Sequence, residues 1–291
     1  MIARPLGPGA PAVSAVGLGG MHLSITGRPD EAAGVAVIRA ALEHGVTLID
    51  TADVYCLDDG ELGHNERLVA AALRGWAGPR EQVIVATKGG MTRPGGRWGR
   101  NGRPEHLRRA CDRSLNALGV ERIDLYQLHT PDPEVPFAES IGALAELQRA
   151  GKIRWIGLSN VSVADVEEAS RLVTVVTVQN RLNPFFREAI ESGVVAHCQS
   201  RGIGFLAYSP VGGGRLNLKL PAHPVLGPIA RRHSVSPHAV VLAWVLAQGT
   251  TVIPIPSART VAHALDSLMA AGIDLSLAER AAIDGAAFSR A

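Results

Sequence analysis

Cysteine and lysine are scarce in this sequence. The few cysteines limit the compartment and the kinds of site that the chain can have, and the few lysines indicate special roles for single residues. The three cysteines, Cys56, Cys111 and Cys198, are an odd number without metal-ligand spacing, so we expect reduced thiols, a cytoplasmic location and no metal site. Lysine occurs only at positions 88, 152 and 219, and arginine supplies the remaining basic charge. A lysine that closes a buried strand therefore indicates a need for its amine, because an ammonium can pair or shift its pKa in an apolar setting.

The sequence also lacks a strong charge imbalance and long apolar runs. Its formal net charge is +2 and no basic run would follow a phosphate backbone, so we expect no nucleic-acid partner. No apolar run approaches transmembrane length and the amino terminus has no signal-peptide core, so we expect no membrane partner. Hydrophobic residues make up 46% of the chain, enough to bury the core of one barrel or of two smaller domains.

Short apolar strands are predicted to alternate with amphipathic helices along nearly the whole chain. The predicted strands are residues 13–18, 46–50, 82–88, 123–129, 153–159, 174–179, 203–208 and 250–254. The predicted helices are residues 31–44, 64–75, 104–118, 137–150, 162–171, 187–201, 236–248, 260–271 and 277–287. This alternation, without a Ser/Pro-rich linker, predicts one domain over residues 1–291 with an α/β fold, a (β/α)8 TIM barrel.

An open doubly wound sheet is the alternative fold. It would be expected to carry Gly-x-Gly-x-x-Gly after its first strand, but here the third glycine position falls on His22. The longest predicted non-helical stretches, residues 89–103 and 209–235, follow the third and seventh strands. In a barrel both lie on the catalytic rim, where long loops form lids or substrate walls.

Polar residues that handle protons stand at the ends of three predicted strands. Asp50 closes the second strand and Tyr55 follows five residues later, Lys88 closes the third, and His129 closes the fourth. Because the carboxyl ends of barrel strands meet on one face, we expect these four side chains to converge there.

Seven motifs, in the order in which they occur, resemble the aldo-keto reductase superfamily over essentially the full chain. The motifs are Gly17-Leu18-Gly19-Gly20-Met21, Ile49-Asp50-Thr51-Ala52-Asp53-Val54-Tyr55, Ala86-Thr87-Lys88, Asp124-Leu125-Tyr126-Gln127-Leu128-His129, Ile156-Gly157-Leu158-Ser159-Asn160, Val178-Gln179-Asn180 and Ala207-Tyr208-Ser209-Pro210. The resemblance implies an NADPH-dependent enzyme that reduces an aldehyde or ketone, with Asp50, Tyr55, Lys88 and His129 as catalytic residues.

The chemistry of carbonyl reduction suits these four residue types. A hydride donor must be joined by an acid that protonates the developing alkoxide. We expect Tyr55 to be that acid, with the cation of Lys88 stabilising its phenolate and Asp50 keeping the lysine charged and positioned. His129 is expected to donate a hydrogen bond to the substrate oxygen.

The same resemblance implies a dinucleotide site along the rim. Ser159, Asn160 and Gln179 would hold the nicotinamide amide, and Tyr208 would stack on the nicotinamide ring. Close backbone approach to the pyrophosphate is expected from the loop after the seventh strand. The expected contacts in this loop are Ser209, Pro210, Val211, Gly212 and Gly214, and the resemblance also implies cofactor contacts at Gly20 and Met21, after the first predicted strand.

The adenine end departs from the family pattern. Arg259 is expected to bind the 2′-phosphate and stack on adenine, and Asp266 keeps the expected acidic position on the following helix. Ser257 stands where members often have lysine or glycine, and Ser267 where they often have asparagine. NADPH is the expected cofactor, with NADH as the alternative.

The substrate is expected to be a small polar, sugar-like or pyridoxal-like carbonyl, because the rim combines Met21, His22, Cys56 and Trp98 with the 209–235 loop. The chain is expected to be a monomer or a weak homo-oligomer. Two other functions stay open. One is a cofactor-binding, redox-sensing regulatory subunit, and the other is a metal-dependent barrel hydrolase using His129 and Asp50, which the lack of any His-x-His motif disfavours.

Overall fold

The computed structural model describes residues 2–291, and its centre is a barrel of parallel strands surrounded by helices, which confirms the predicted (β/α)8 architecture. The strands are β1 (Ala3–Pro5), β2 (Ala12–Ser14), β3 (Leu18–Gly19), β4 (Leu48–Asp50), β5 (Ile84–Gly89), β6 (Met91–Thr92), β7 (Gly99–Arg100), β8 (Ile123–Leu128), β9 (Ile153–Ser159), β10 (Val175–Arg181), β11 (Gly204–Tyr208) and β12 (Val252–Pro254).

Helices connect these strands and cover the outside of the barrel. They are α1 (Glu31–Glu43), α2 (His64–Arg74), α3 (Pro104–Leu118), α4 (Phe137–Arg149), α5 (Val163–Ser170), α6 (Glu188–Glu191), α7 (Val194–Ser200), α8 (Gly213–Leu216), α9 (Leu226–His233), α10 (Pro237–Leu246), α11 (Val261–Leu268) and α12 (Leu277–Asp284). Short 3-10 helices occur at Met21–Leu23, Asp59–Glu61, Arg80–Gln82, Pro94–Gly96, Asn217–Lys219 and Met269–Gly272. Within residues 2–291, none of the helices combines the length and apolar character needed to cross a bilayer.

The barrel strands follow one another in chain order as β3, β4, β5, β8, β9, β10, β11 and β12, with every neighbouring pair parallel. The first and last strands meet through backbone contacts beyond their ends. Gly19 N donates to Pro256 O at 2.9 Å, and Gly19 forms a parallel bridge with Ser257. Glycine suits this seam, because a Cβ at position 19 would lie 2.7 Å from the carbonyl oxygen of Ile255.

Apolar side chains fill the amino-terminal part of the barrel interior, while polar side chains occupy the carboxyl ends of the strands. The antiparallel pair β1 and β2 closes the apolar end, since Leu6 and Val13 share one buried cluster with residues of the barrel strands. A larger apolar cluster lies between the strands and the helices. The barrel is thus a packed core at one end and a polar face at the other.

Three predicted elements differ from the observed ones. The predicted strand 13–18 is divided, because Ala12–Ser14 pairs with β1 and only Leu18–Gly19 joins the barrel. The predicted helix 187–201 is interrupted before α7, where Gly193 adopts φ 80°, a conformation that ends one helix and starts another. The 209–235 stretch contains α8 and α9 rather than loop alone.

Candidate active site

Asp50, Tyr55 and Lys88 form one hydrogen-bonded group at the carboxyl ends of β4 and β5. Lys88 Nζ donates to Asp50 Oδ2 at 2.6 Å, to the carbonyl oxygen of Thr51 at 2.9 Å and to Tyr55 Oη at 3.0 Å. The lysine is fully buried, and Asp50 and Tyr55 are only 2% and 6% exposed. An ammonium has three donors, so all the hydrogen-bonding capacity of Lys88 is used within this group.

The loop that carries Tyr55 is fixed by contacts with its neighbours. Thr51 N donates to Ala86 O at 2.8 Å, which continues the pairing of β4 with β5 past the strand end. Thr51 Oγ1 also donates to Asn65 Oδ1 at 2.6 Å, and Asn65 Nδ2 donates to Gly20 O at 2.9 Å. The buried amide of Asn65 therefore joins the loops after β3 and β4, and it also leaves no room for a Cβ on Gly20.

Burial and charge act in opposite directions on the ionisable groups of this site. Burial favours the neutral form of Lys88, but the neighbouring Asp50 carboxylate and Tyr55 outweigh it and raise the lysine pKa above its ordinary value. Burial raises the pKa of Tyr55 above its ordinary value, and the positive charge of Lys88 opposes that rise. In this state Lys88 is charged and Tyr55 carries its proton at neutral pH.

His129 lies beside Tyr55 immediately after β8. The two rings meet edge to face with their centroids 5.8 Å apart. Burial, assisted by the charge of Lys88, lowers the pKa of His129 well below its ordinary value, so the imidazole is neutral. Its Nδ1 is buried without a hydrogen-bond partner, whereas the carbonyl oxygen of His129 accepts from Asn160 Nδ2 at 3.0 Å.

Gln127 is a member of this group that the sequence reasoning did not select. Its Nε2 donates to Asp50 Oδ1 at 3.2 Å, and Gln179 Nε2 donates to the same oxygen at 2.7 Å. Both amides are buried, so they complete the solvation of the Asp50 carboxylate inside the barrel. The sequence does contain a signal for Gln127, because it lies two residues before His129 and alternate residues of a strand face the same side.

The residues expected at the nicotinamide lie together on the rim. Asn160 Nδ2 is 3.1 Å from Ser159 Oγ, and Tyr208 Oη donates to Asn160 Oδ1 at 2.8 Å. Asn160 adopts φ 59° directly after β9, which turns its side chain back over the strand ends. Gln179 is in the same register as Ser159 on the adjacent strand, and it shares the carboxylate of Asp50.

The loop after β11 follows Tyr208 with backbone conformations that are unusual for ordinary residues. Ser209 has φ 48° and Gly212 has φ 94°, and Gly212 N donates to Ser209 O at 2.9 Å. Asn183 Nδ2 donates to Ser209 O at 2.8 Å and anchors the start of the loop. Pro210 is buried and Val211 half-buried, and a Cβ on Gly214 would meet no other atom.

Of the four residues expected at the adenine end, two lie beside the barrel seam. The other two lie on α11 and are hydrogen-bonded to other residues of the fold. Ser257 Oγ accepts from the backbone N of His22 at 3.1 Å, and the exposed Arg259 donates to Thr26 O at 3.3 Å. Asp266 instead accepts from Ser236 Oγ at 2.6 Å. Ser267 Oγ donates within its own helix, to His263 O at 2.9 Å.

The rim differs from the expected one at Cys56. This thiol is fully buried and donates to Val54 O, and burial raises its pKa to about 11, so it lines no open surface. Trp98 is 47% exposed in the 90–103 loop, with the guanidinium of Arg93 4.0 Å from its ring. Met21 and Met91 pack against the buried cluster of Ala52, Val54 and Tyr55 and supply apolar surface near the site.

Neither a candidate metal centre nor a disulfide is found among the described residues. Across residues 2–291, no three His, Cys, Asp or Glu side chains come together as a metal site would need. Cys56, Cys111 and Cys198 are all free and buried.

Comparison with known proteins agrees with this geometry. Residues 15–287 match the model of the aldo/keto reductase family. The chain is 35% identical to an uncharacterized oxidoreductase of Schizosaccharomyces pombe, over 91% of this chain and 83% of that protein. It is 34% identical to "Probable aldo-keto reductase 1" of Glycine max, over 91% of this chain and 82% of that protein.

A solved structure extends the likeness to the whole fold. The aldo/keto reductase from Klebsiella pneumoniae, in complex with NADP and acetate, superimposes with a TM-score of 0.80 at 29% identity, covering 97% of this chain and 94% of that one. The family model spans nearly the full length of the chain. This chain therefore belongs to the aldo/keto reductase family.

Proposed function

We propose that this protein reduces an aldehyde or ketone to the alcohol with NADPH, and that Tyr55 is the general acid. As a family member it is an NAD(P)H-dependent oxidoreductase, and NADP(H) is its cofactor. The observation that carries the assignment of Tyr55 is the buried group in which Lys88 Nζ bonds both Asp50 and Tyr55. A phenol beside a fixed cation is the arrangement that an acid in carbonyl reduction requires.

The direction of the hydrogen bonds defines what each residue does. Because Lys88 donates to the oxygen of Tyr55, the phenolic hydrogen is free to point towards a substrate oxygen. NADPH, when bound along the rim, would supply the hydride for the carbonyl carbon. Tyr55 gives its proton to the carbonyl oxygen as negative charge develops there, and Lys88 stabilises the resulting phenolate. Neutral His129 donates its N–H to the same substrate oxygen and orients it beside Tyr55.

The rim residues fit a dinucleotide. Asn160 and Ser159 offer donors and acceptors to a carboxamide, and the half-buried Tyr208 ring, held through Asn160, offers a stacking surface. The run of Gly212, Gly213 and Gly214 lets a pyrophosphate approach the backbone. Arg259 offers an exposed guanidinium for a 2′-phosphate. Among these four candidates Arg259 alone is a cation and is exposed, so we assign the adenine contact chiefly to Arg259, with Ser257 beside it at the barrel seam.

We further propose a small polar, sugar-like or pyridoxal-like substrate. The surface beside Tyr55 combines the apolar Met21 and Met91 with the neutral imidazole of His129, which suits a compact molecule with hydroxyl groups. The family model covers residues 15–287 without a second unit, which supports one domain across 1–291. The free cysteines support a cytoplasmic location. We also propose that the chain acts as a monomer or weak homo-oligomer.

Replacement of Tyr55 by phenylalanine tests the proposed acid. We expect Tyr55→Phe to lower single-turnover oxidation of bound NADPH by at least about 10²-fold across a panel of carbonyls, because the proton donor is lost. Its NADPH dissociation constant should stay close to wild type. Tyr126→Phe is the matched control, since Tyr126 is fully buried and its hydroxyl bonds no partner in the structure. Near-wild-type turnover in Tyr55→Phe would overturn the assignment.

A further inference from the structure

The residues that follow α12 lie against the loop after β11. Phe288 stacks on the imidazole of His223, with ring centroids 4.2 Å apart and planes 6° from parallel. The other side of the contact is Phe185, whose ring meets Phe288 edge to face at 5.2 Å. Residues 285–291, which we call the tail, thus place one aromatic ring between the loop and the segment after β10.

Polar contacts hold the tail and the end of α12 from which it continues. Just before the tail, Arg187 donates to the carbonyl oxygens of Ile283 and Asp284 in α12 at 3.0 and 2.8 Å. At its far end, Arg290 Nε donates to Phe185 O at 2.6 Å and its Nη2 donates to Glu188 Oε1 at 2.7 Å. The tail is therefore fixed to the body of the barrel independently of the loop.

The loop in turn bonds to the backbone of the tail. Arg215 Nη2 donates to Arg290 O at 2.6 Å, and Lys219 Nζ donates to Ser289 O at 3.3 Å and to Ala291 O. The ring of His223 has a further contact, from its Nε2 to Ala287 O at 3.3 Å. These contacts extend from one end of α8 to the residues before α9.

Phe185 connects the tail with the glycines of the loop. A Cβ on Gly212 would lie 3.1 Å from the Phe185 ring, so the backbone at Gly212 rests directly on the aromatic side chain that Phe288 packs against. Glycine-rich segments are otherwise the most easily displaced parts of a chain, because they lose the most conformational freedom when ordered. Within the loop, Asn217 Nδ2 donates to Gly213 O at 2.5 Å and to Gly214 O at 3.0 Å, and the tail adds a second restraint from outside the loop.

We propose that the tail is a latch that holds the loop after β11 against the barrel and thereby slows release of the cofactor, with Phe288 and Arg290 as positioning residues. This inference rests on the proposed function, in which that loop binds the pyrophosphate of NADP(H). Neither Phe288 nor Arg290 belongs to the proposed cofactor contacts. Each acts only through the position of the loop.

Two measurements on Phe288→Ala, Arg290→Ala and the full-length wild type test the latch. Amide hydrogen exchange without cofactor reports on the loop alone, and we expect exchange of residues 212–220 to rise about tenfold while that of β8 is unchanged. Stopped-flow dissociation of NADPH should become about tenfold faster. Leu277→Ala is the matched control, because Leu277 is an 80% exposed residue at the start of α12, and both measurements should stay at wild-type values.

The possible results separate the latch from the proposed function. Wild-type exchange in the loop of both tail variants, together with normal NADPH binding, would overturn the latch and leave the proposed function standing. Faster exchange with an unchanged NADPH dissociation rate would also overturn it, since the tail would then restrain the loop without retaining the cofactor. A wild type that binds no NADPH would refute the proposed function and the latch together, whatever the exchange shows.

Discussion

At the scale of single residues, the ammonium of Lys88 is fully buried inside the barrel, and all three of its N–H donors are hydrogen-bonded. Burial of a charge is costly, so this group is stable only because Asp50 balances it and Gln127 and Gln179 solvate that carboxylate. Because Lys88 donates to the oxygen of Tyr55, the phenolic O–H of Tyr55 remains available as a donor. In the proposed reaction the site is therefore a fixed ion pair beside the proton that Tyr55 gives to the substrate.

Replacement of Lys88 by methionine should affect stability and catalysis in separable ways. Lys88→Met leaves Asp50 buried without its cation, so we expect the free energy of unfolding to fall by about 3–5 kcal/mol. Asp50→Asn in the same chain should recover most of that loss without recovering turnover. Urea denaturation of the single and double variants measures the first effect. A double variant as unstable as Lys88→Met would show that the charge imbalance is not the cause.

The pH profile of the Lys88 variant gives a second readout. Lys88 opposes the rise that burial imposes on the pKa of Tyr55, so removing the lysine should raise that pKa further. An acid catalyst works while protonated, and the basic limb of residual carbonyl reduction should therefore move to higher pH. An unchanged basic limb would mean that Lys88 does not tune the tyrosine.

His129 should make stability depend on pH on the acid side. Its pKa is held well below the ordinary value in the folded protein, so the unfolded chain binds a proton that the native site refuses. This contribution is complete above about pH 6.5 and is lost as the pH falls, by about 1.4 kcal/mol per unit. Denaturation of wild type and His129→Gln at pH 6.5 and 5.5 should show a shallower loss in the variant. Equal losses would mean that native His129 accepts the proton.

The sequence predicts individual site residues where one side chain terminates one strand. Asp50, Lys88 and His129 were identifiable because an apolar run stops at each. Gln127 and Asn65 were not, because their importance comes from partners 77 and 45 residues away in the chain, Asp50 and Gly20. Cys56 was expected on the rim, but its side chain is fully buried.

At the scale of elements, the unpredicted helices are those whose pattern is short or interrupted. In α9 the buried residues Leu226, Ile229 and Ala230 have helical spacing. However, Gly227 and Pro228 between them are residue types whose local conformational preferences favour a loop. The helix is stabilised by packing on α10 instead, with its buried residues in the large apolar cluster. The break before α7 had its signal in Gly193, whose φ of 80° opens the second segment.

The segment after β12 should determine the choice between cofactors through Arg259. A charge-assisted contact with the 2′-phosphate contributes about 1.5–3 kcal/mol, so Arg259→Ala should weaken NADPH by about one to two decades. NADH has no phosphate there and should lose less. Dissociation constants by quenching of tryptophan fluorescence measure both, with Arg171→Ala, an exposed arginine at the end of α5, as the matched control.

Two results would contradict this role of Arg259. An equal loss for both cofactors would mean that the guanidinium does not bind the phosphate. A wild-type preference for NADH would mean that Ser257 and Ser267, where relatives often carry other residues, have already shifted the specificity of this enzyme.

At the scale of the whole molecule, the alternation of strands and helices was sufficient to predict the barrel. Seven of the barrel strands were predicted as apolar runs of the right order, and only the first, the two-residue β3, was misplaced. A strand that short has no periodicity of its own. It is defined by what it pairs with, Leu18 with Ile49 and Gly19 with Asp50, which a linear pattern does not contain.

Cofactor binding should stabilise the entire barrel. If NADPH binds only the folded chain, a concentration about one hundred times its dissociation constant adds about 2.7 kcal/mol to the free energy of unfolding. Denaturant titration with and without NADPH measures the gain, and Arg259→Ala at the same NADPH concentration should gain less. No gain for the wild type at a concentration that saturates binding would mean that NADPH also binds the unfolded chain.

The seam between Gly19 and Ser257 has a consequence for how the molecule folds. It joins segments separated by most of the chain, so its formation carries a large loop-closure entropy, and we expect the contact to form late in folding. Ser257 and Arg259, with His22 and Thr26 across from them, lie on this junction. If these residues bind the adenine end of NADPH as we propose, the dinucleotide meets a complete adenine site only in chains in which β3 and the segment after β12 are joined, and its binding then distinguishes closed barrels from open ones.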